Sequence, residues 1–559
     1  MPTITLNKNV FEKLVGKKLP IDKLKDRISM LGTDLEKIEG NEIHVEIFPN
    51  RPDMLSEQGF ARAFSSFIGV NTGLRKYNVK KSRHKVIVKN LPKEWPYAVA
   101  CIVRGLKLDD EKVREIIQLQ EKLGMTFTRN RKKGGLGLYP CEKLTFPVKF
   151  IGMKPEDINF RPLEFPNTMP VKQILAKHPK GKEYGYIMEG WDKYPVFVDD
   201  KNIIMSMPPI INSHDVGKID ENTTDVFIEG TGPDLNTIKT SLFILTTSLA
   251  DMGGKIESLD IVYPDRKFTF PDLSPKKIKL KIDYVNKILG VKLKDKELKK
   301  YLEQMGYGIE KFEKGKETKA IVLVPAYRAD ILHPIDLVED IAIAYGYENF
   351  KEEIPNVSTI AEEDEFEVFK KNVANIMVGL GIIEVCTYHL INEKDQTTNM
   401  CLNTEVVKLA NATTEEFNSL RLWMIPCLMN VLKHNKHNEY PQNIFDIGVV
   451  FKKNIEKETN VEEFTRIACA LSYPDADYTG IRQRLDNLLK MLDVEYKVIE
   501  YEHDSFIPGR VGRVVVDGKK IAVLGEISPV VLKNFELNMP TGVFELNLTE
   551  LFNIKNRNK

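Results

Sequence analysis

An internal duplication restricts the folds available to this chain of 559 residues. A pattern of glycines and leucines near the N-terminus recurs about midway along the chain at one constant offset, pairing Gly16, Leu19, Leu24 and Gly32 with Gly290, Leu293, Leu298 and Gly306. Each copy continues into an apolar strand and an Arg-x-Asp turn, at Arg51 and at Arg328. The period is too long for a solenoid, so we predict two related helix-turn-helix or winged-helix-like modules that bracket another domain.

Length, charge and cysteine content narrow the class of protein. The length implies about three to five domains, and the apolar and charged fractions of 42% and 29% are typical of soluble proteins. The chain opens without a secretion signal, has no apolar run long enough to span a membrane, and arranges its six cysteines without a C-x-x-C pair, which predicts a reduced, cytoplasmic protein.

The net charge of +1 argues against a protein that holds nucleic acid by phosphate contacts alone. Only local patches could touch RNA, such as residues 129–133 or the lysines between 276 and 300, and solvated surface explains either patch equally well. The segment from 295 to 305 mixes Asp, Glu and Lys, so a structural role suits the later module better than DNA binding.

Acidic residues cluster after the second Arg-x-Asp turn. Asp336, Glu339 and Asp340 are spaced to share one face of a helix, and Asp330 lies just upstream of it. Four converging carboxylates would suit Mg²⁺. The alternative is that these residues complement the helix dipole, or that Arg328 balances their charge without an ion. Spacing alone favours the alternative.

Two polar loops are predicted at strand ends between the modules. One strand must end at Pro208-Pro209, which exposes residues 210–214. A second strand, residues 225–229, is expected to stop at Gly230-Thr-Gly232. Strand ends of this kind are common ligand sites.

Several segments, taken in order, resemble one family. Pro-Ala-Tyr-Arg-Ala-Asp at 325–330 and the run at 335–347 resemble the signature of phenylalanyl-tRNA synthetase β subunits of the archaeal and eukaryotic type. Pro-Asn-Arg-Pro-Asp at 49–53 looks like that subunit's N-terminal element, and residues 207–213 and 226–234 look like its central domain. Residues 419–421, 444–448 and 525–529 look like its C-terminal domain, so the resemblance covers nearly the whole chain.

The resemblance implies an α+β multidomain fold in four parts. Residues 1–80 would form the first winged-helix-like module, 85–265 a central α/β editing domain, and 272–350 the second module with an acidic magnesium site. Residues 360–559 would form an antiparallel class II synthetase-like domain that lacks catalysis.

The implied function is that of the β subunit of phenylalanine–tRNA ligase. An α partner, in an α2β2 heterotetramer, would bind ATP and attach phenylalanine to tRNA(Phe), while the central domain would hydrolyse mischarged tyrosyl-tRNA. Mg²⁺ is the implied metal. A stand-alone tRNA-editing hydrolase and a non-catalytic scaffold protein are the alternatives.

The resemblance also implies site residues. Glu229, Asn212, Ser213 and Asp234 match polar positions around the editing pocket, although Asn212 and Ser213 could simply cap the adjoining turn. Asp330, Asp336, Glu339 and Asp340 match four acidic positions assigned to Mg²⁺, with Asp rather than Glu at the last.

The C-terminal domain lacks two groups that adenylate formation needs. Arginines clamp the α- and γ-phosphates in active class II enzymes, but residues 525–533 contain no arginine and Phe445-Asp-Ile-Gly replaces the expected clamp. Arg421 is therefore expected to anchor structure or the partner rather than ATP.

Overall fold

A computed structural model describes residues 2–315 and 317–557. These residues form two compact units, which are divided between Ile354 and Pro355. Each unit has its own buried apolar core. No helix among the described residues is long and apolar enough to cross a membrane.

The first unit opens with the N-terminal repeat. Its elements are β1 (Thr3–Asn7), α1 (Lys8–Val15), α2 (Ile21–Met30), β2 (Asp34–Glu39) and β3 (Glu42–Glu46), followed by α3 (Glu57–Phe67). The strands form an antiparallel sheet of order β1-β3-β2. Gly16 ends α1 in the left-handed conformation with φ of 79°, which explains why a glycine stands there.

The central part of this unit is a mixed sheet flanked by helices. Its elements in chain order are β4 (Val79–Lys89), β5 (Tyr97–Arg104), α4 (Asp110–Met125), β6 (Gly135–Pro140), β7 (Val148–Met153), β8 (Asn159–Phe160), β9 (Met169–Pro170), α5 (Val171–Lys177), α6 (Pro179–Tyr184), β10 (Tyr194–Val198), β11 (Ile204–Met207), β12 (Ile211–Asn212), α7 (His214–Gly217), β13 (Val226–Gly232), α8 (Leu235–Asp251), β14 (Lys255–Val262) and β15 (Lys267–Phe270).

The order of strands in this sheet is β12-β11-β10-β7-β4-β14-β5-β13-β6, with β15 beside β14. Only the β4–β14 and β4–β7 pairs are parallel. The apolar helix α8 packs on β5 and β13, and this contact fully buries its residues Ile238, Leu242 and Leu245.

One strand differs from the sequence prediction. β13 does not stop at Glu229 but continues through Gly232, paired with β5 on one side and β6 on the other. The glycines permit this because a Cβ on Gly230 would lie 3.0 Å from Val99 and one on Gly232 would lie 2.6 Å from the Lys133 carbonyl. Glu229 therefore lies inside the sheet rather than in a loop at its end.

The C-terminal repeat follows. It contains β16 (Lys276–Lys281), α9 (Ile282–Leu289), α10 (Asp295–Gln304), β17 (Gly308–Glu313) and β18 (Lys319–Val324), and is followed by α11 (Pro334–Tyr345). Its sheet order, β16-β18-β17, corresponds strand for strand to that of the first repeat. The two segments thus share one topology, as the duplicated sequence predicts.

The repeats pack against each other in a reciprocal way. In the first direction, the Ser66 hydroxyl at the end of α3 donates to the Glu303 carbonyl in α10 at 3.0 Å. In the other, the side chain of Ile343 in α11 approaches Gly32, and Arg27 of α2 forms an ion pair with Glu348 at 2.8 Å. The helix after each repeat therefore contacts the other repeat.

The second unit is built on a largely antiparallel sheet. Its elements are α12 (Glu365–Gly379), β19 (Ile383–Glu384), β20 (Leu390–Ile391), α13 (Glu393–Gln396), β21 (Ser419–Leu420), α14 (Ile425–Asn435), β22 (Gln442–Lys453), β23 (Val461–Ser472), α15 (Tyr478–Met491), β24 (Lys497–Glu500), β25 (Phe506–Val516), β26 (Lys519–Ile527), α16 (Pro529–Asn534), β27 (Thr541–Asn547) and α17 (Leu548–Arg557). The main sheet has the order β19-β22-β23-β27-β26-β25-β24, in which only β19 and β22 are parallel.

Candidate active site

A cleft of about 440 Å³ opens beside β13 in the central sheet. Helix α4 contributes Gln120 and Glu121 to its wall, the turn after β11 contributes Pro208 and Pro209, and Glu229 lies at its floor. The double proline ends β11 at Met207, as predicted, and so shapes one wall of the cleft.

Glu229 is buried, with 2% of its surface exposed. Its Oε1 lies 3.1 Å from the Tyr139 hydroxyl, while its Oε2 has no hydrogen-bond partner among the described residues. Burial raises the pKa of Glu229 to about 8, although the hydrogen bond from Tyr139 partly lowers it. The carboxyl group is therefore mainly protonated at neutral pH.

Asn212 belongs to the same hydrogen-bonded group. The Tyr139 hydroxyl lies 3.3 Å from Asn212 Oδ1, so it donates either to Asn212 or to Glu229. The Tyr139 hydroxyl thus lies within donating distance of both Glu229 Oε1 and Asn212 Oδ1 and joins the three side chains in one group. Burial raises the pKa of Tyr139 well above its usual value, with the nearby Glu229 adding to the effect, so the phenol keeps its proton.

Gly137 makes room for this arrangement. It lies opposite Glu229 on the neighbouring strand β6, and a Cβ there would overlap both Glu229 Oε1 and the Tyr139 hydroxyl. Only glycine fits at this position.

Ser213 and Asp234, the other two predicted pocket residues, do not line the cleft. Ser213 caps the short helix α7 by accepting from the Asp215 N–H at 3.3 Å. Asp234 caps α8 by accepting from the N–H groups of Asn236 and Thr237, and these bonds lower its pKa despite partial burial. The structure thus brings together Glu229 and Asn212 of the four.

Arg131 also lines the cleft, a position that the basic run at 129–133 did not predict. Its guanidinium donates to the carbonyls of Pro209 and Ile210 at 3.0 and 2.9 Å and pairs with Glu121 at 3.0 Å. It therefore fixes the turn that leads to Asn212. The sequence signal was hidden, because Arg131 stands in a basic run that has the composition of solvated surface.

The predicted magnesium residues near α11 do not converge on one point. Both oxygens of Asp330 accept from Arg328, at 2.8 and 2.6 Å, and Asp340 Oδ2 accepts from Arg328 at 2.7 Å and from the Tyr307 hydroxyl. Asp336 Oδ2 accepts instead from the backbone N–H groups of Leu332 and His333, both at 2.7 Å.

The charge balance explains this arrangement. Burial would lower the pKa of Arg328, but Asp340, Tyr307 and Asp330 around it raise that pKa above its usual value. Glu339 lines a groove together with Asp336, Ile335 and Val338. No group of three acidic, His or Cys side chains within residues 2–315 and 317–557 is placed to hold a metal ion. The residues as arranged do not fit a four-carboxylate Mg²⁺ site, and they match the alternative in which Arg328 and the helix cap balance the charge.

In the second unit, Arg421 is 1% exposed and turned into the protein. It donates to the Val449 carbonyl at 2.7 Å and to the Thr387 hydroxyl at 2.8 Å, and lies 3.6 Å from Asp446. A Cβ on Gly448 would overlap the guanidinium, so the Asp-Ile-Gly segment accommodates this side chain. Arg421 is thus used within the fold.

Comparison with known proteins gives two family matches. Residues 278–347 match the model described as tRNA synthetase B5 domain, and residues 351–548 match the model described as phenylalanyl tRNA synthetase beta chain CLM domain.

Curated relatives match along the whole chain. It is 37% identical to the phenylalanine–tRNA ligase beta subunit of Thermococcus sibiricus and 38% identical to that of Archaeoglobus fulgidus, covering 99% of both sequences in each case. Among solved structures, an N-terminal fragment of the phenylalanyl-tRNA synthetase beta subunit from Pyrococcus horikoshii is 36% identical, with a TM-score of 0.59, and covers 62% of this chain and 99% of the fragment.

Proposed function

Because the chain belongs to the family of phenylalanine–tRNA ligase β subunits, and is thus a subunit of an aminoacyl-tRNA synthetase, we propose that its central sheet hydrolyses tyrosyl-tRNA formed in error. The observation that carries this proposal is the Glu229 carboxyl group, buried at the floor of the cleft with Oε2 unpaired. A buried polar group without a partner costs about 1–3 kcal/mol, so a ligand that supplies one is favoured.

The chemistry of Glu229 suits discrimination between tyrosine and phenylalanine. The two side chains differ by one hydroxyl, which an apolar pocket recognises only weakly. A tyrosine hydroxyl that reached Glu229 Oε2 would complete its hydrogen bonding, whereas phenylalanine would leave it unpaired. Tyr139 and Asn212 hold the carboxyl group in place from the other side, and Arg131 fixes the adjoining turn.

A substitution in the assembled enzyme tests this role. Glu229→Ala should leave charging with phenylalanine near normal while the rate of tyrosyl-tRNA hydrolysis falls about 10- to 100-fold, as expected for one buried hydrogen bond to the discriminating group. The exposed Glu221 gives a matched control, because Glu221→Ala should change neither rate. Equal hydrolysis by the Glu229 variant and the parent would restrict Glu229 to a structural role.

The second unit is proposed to be a class II synthetase-like domain without adenylating activity. The antiparallel sheet, the lack of arginine in residues 525–533 and the internal use of Arg421 support this. Adenylate formation, with its ATP, would then belong to an α subunit. An α2β2 assembly that acts on tRNA(Phe) in the cytoplasm is the corresponding proposal for partners and location.

The length of the family match argues against a stand-alone hydrolase and against a scaffold protein. A stand-alone hydrolase would need only the central sheet, but the relatives match through both units. The β-subunit function is therefore preferred over a stand-alone hydrolase or a scaffold. Mg²⁺ remains a prediction for the complex, although Asp330, Asp336, Glu339 and Asp340, to which the resemblance assigned it, are not arranged as ligands of one ion.

A further inference from the structure

The turn between α4 and β6 has an unusual backbone. Arg129, Asn130 and Arg131 are consecutive non-glycine residues with φ of 53°, 52° and 62°. Their conformation is held by the end of α4, since the N–H groups of Asn130 and Arg131 donate to the carbonyls of Met125 and Gly124 at 3.0 and 2.9 Å. Left-handed backbone at such residues costs energy and persists only where the surroundings impose it.

The turn sends its basic side chains in two directions. Arg131 points into the wall of the cleft and holds the Pro209 carbonyl, as described above. Arg129 and Lys132, its neighbours in the turn, are exposed. One short segment thus connects the wall of the cleft with charged surface outside it.

Two cations of the turn lie over aromatic rings of the neighbouring segment. The Arg131 guanidinium lies 4.3 Å from the centre of the Tyr184 ring, and the Lys132 ammonium lies 5.5 Å from that of Tyr186. Tyr186, in the short helix Gly185–Met188, is 49% exposed. Its ring therefore offers a face to a ligand beside the cleft.

The charges around this turn and the neighbouring helix α6 are only partly balanced. Glu121 pairs with both Arg131 and Lys180, and Asp234 pairs with Lys133 at 3.5 Å. Three exposed cations in these two segments have no ion-pair partner among the described residues; they are Arg129, Lys132 and Lys182. A local excess of positive charge thus remains on a chain whose net charge is only +1.

We propose that this strip, defined as Arg129, Lys132, Lys182 and Tyr186, binds the single-stranded 3′ end of the aminoacylated RNA as its last residue enters the cleft. Unpaired cations suit the phosphates of the strand, and an exposed ring with an adjacent cation is a stacking surface for a base. Single-stranded RNA combines both features. The inference rests on the proposed editing function, because it assigns the RNA part of that substrate.

Steady-state hydrolysis of tyrosyl-tRNA by the assembled enzyme tests the proposal. Tyr186→Ala should raise KM about 10-fold with kcat little changed, since stacking of a base is lost while the cleft is untouched. Tyr186→Phe, which keeps the ring, should behave as the parent does. An unchanged KM in Tyr186→Ala would overturn the role of the ring.

The cations are tested by the dependence on salt. The double variant Arg129→Ala/Lys132→Ala should reduce the slope of log KM against log salt concentration by about 1.4, because each contact with a single-strand phosphate contributes about 0.7. Lys23→Ala/Lys25→Ala, at exposed lysines of the first repeat, is the matched control and should leave the slope unchanged. Equal slopes in both double variants would overturn the proposal.

Binding without hydrolysis separates this proposal from the editing function. The probe is a minihelix of the acceptor stem and 3′ end that carries tyrosine through a non-hydrolysable amide. If the parent enzyme does not hydrolyse tyrosyl-tRNA but the variants bind this probe about 10-fold more weakly, the editing function fails and the RNA surface stands. If hydrolysis is present but probe affinity is the same in all variants, only the RNA surface fails.

Discussion

Glu229 shows how position in a sheet sets the chemistry of one residue. A carboxyl group at a strand end would be solvated and ionised, but β13 continues past Glu229 and buries it beside Tyr139. The pKa of about 8 and the unpaired Oε2 follow from this position. The same burial makes the residue's contribution to stability depend on pH.

The pH dependence has a definite sign. The native state holds the Glu229 proton up to about pH 8, whereas the unfolded chain releases it near pH 4.5. The contribution to stability is therefore full below pH 4.5 and is lost as pH rises through 8, at no more than about 1.4 kcal/mol per pH unit. The free energy of unfolding in urea should fall less between pH 5 and pH 8 for Glu229→Gln than for the parent. The control Glu221→Gln should show the same fall as the parent. Parallel curves for parent and Glu229→Gln would contradict a raised pKa.

Gly137 offers a second test at this scale. Gly137→Ala should push Glu229 and Tyr139 apart, because its Cβ would overlap both side chains. We expect tyrosyl-tRNA hydrolysis to fall about 10-fold or more, with charging by phenylalanine preserved. Gly379→Ala, where a Cβ meets no atom within 4 Å, is the control. Normal hydrolysis by Gly137→Ala would show that the contact with Tyr139 is dispensable.

Helix α11 shows how one element can satisfy acidic side chains without an ion. Asp336 caps the N–H groups of Leu332 and His333, while Asp330 and Asp340 lie against Arg328. Each carboxylate thus has a donor supplied by the chain. This cap is the alternative to a bound cation as the reason for the acidic start of the helix.

Removal of the cap distinguishes these explanations. Asp336→Asn/Glu339→Gln should lower the free energy of unfolding by about 1 kcal/mol, and by the same amount in Mg²⁺ and in chelator. Glu339→Gln alone, which affects no capping bond, should have little effect. Melting temperatures measured in both buffers check this. A parent protein that melts higher in Mg²⁺, with the difference absent from the double variant, would restore the four-carboxylate site.

At the level of elements, local patterns could be predicted from sequence more completely than side-chain partners. The duplicated glycines predicted a shared topology, and Pro208-Pro209 predicted the end of β11. The continuation of β13 was not predicted, because glycines usually interrupt strands unless close packing requires them, as Val99 and Lys133 do here. Ser213 and Asp234 are typical helix caps, and sequence cannot tell a cap from a pocket residue until the helix after it is placed.

The two units of the whole molecule differ in the chemistry that their residues support. The first unit contains a cleft with the buried Glu229 carboxyl group, whose Oε2 is unpaired. Exposed cations without an ion-pair partner lie beside this cleft. In the second, Arg421 is bound to Val449 and Thr387 within the fold. The first unit can therefore engage a ligand with groups that the fold leaves free.

This difference predicts the behaviour of the isolated chain. Without an α subunit it should show no phenylalanine-dependent exchange of pyrophosphate into ATP, because residues 445–448 and 525–533 lack the phosphate-clamping arginines expected of an active class II domain. The assembled enzyme, assayed under the same conditions, is the positive control. Exchange above background by the isolated chain, with contaminating α subunit excluded by mass spectrometry, would contradict a non-adenylating second unit.

The strand order of the central sheet has an evolutionary consequence. The chain enters this sheet on β4 and leaves it through β14 and β15, which are neighbours, with Val79 beside Ile256 and Phe270 beside Leu259. A segment whose two ends lie side by side can be acquired by an ancestral protein without separating the parts on either side of it. The central segment therefore has the geometry of an insertion between the two repeats, whose contacts through Ser66 and Arg27 it leaves intact.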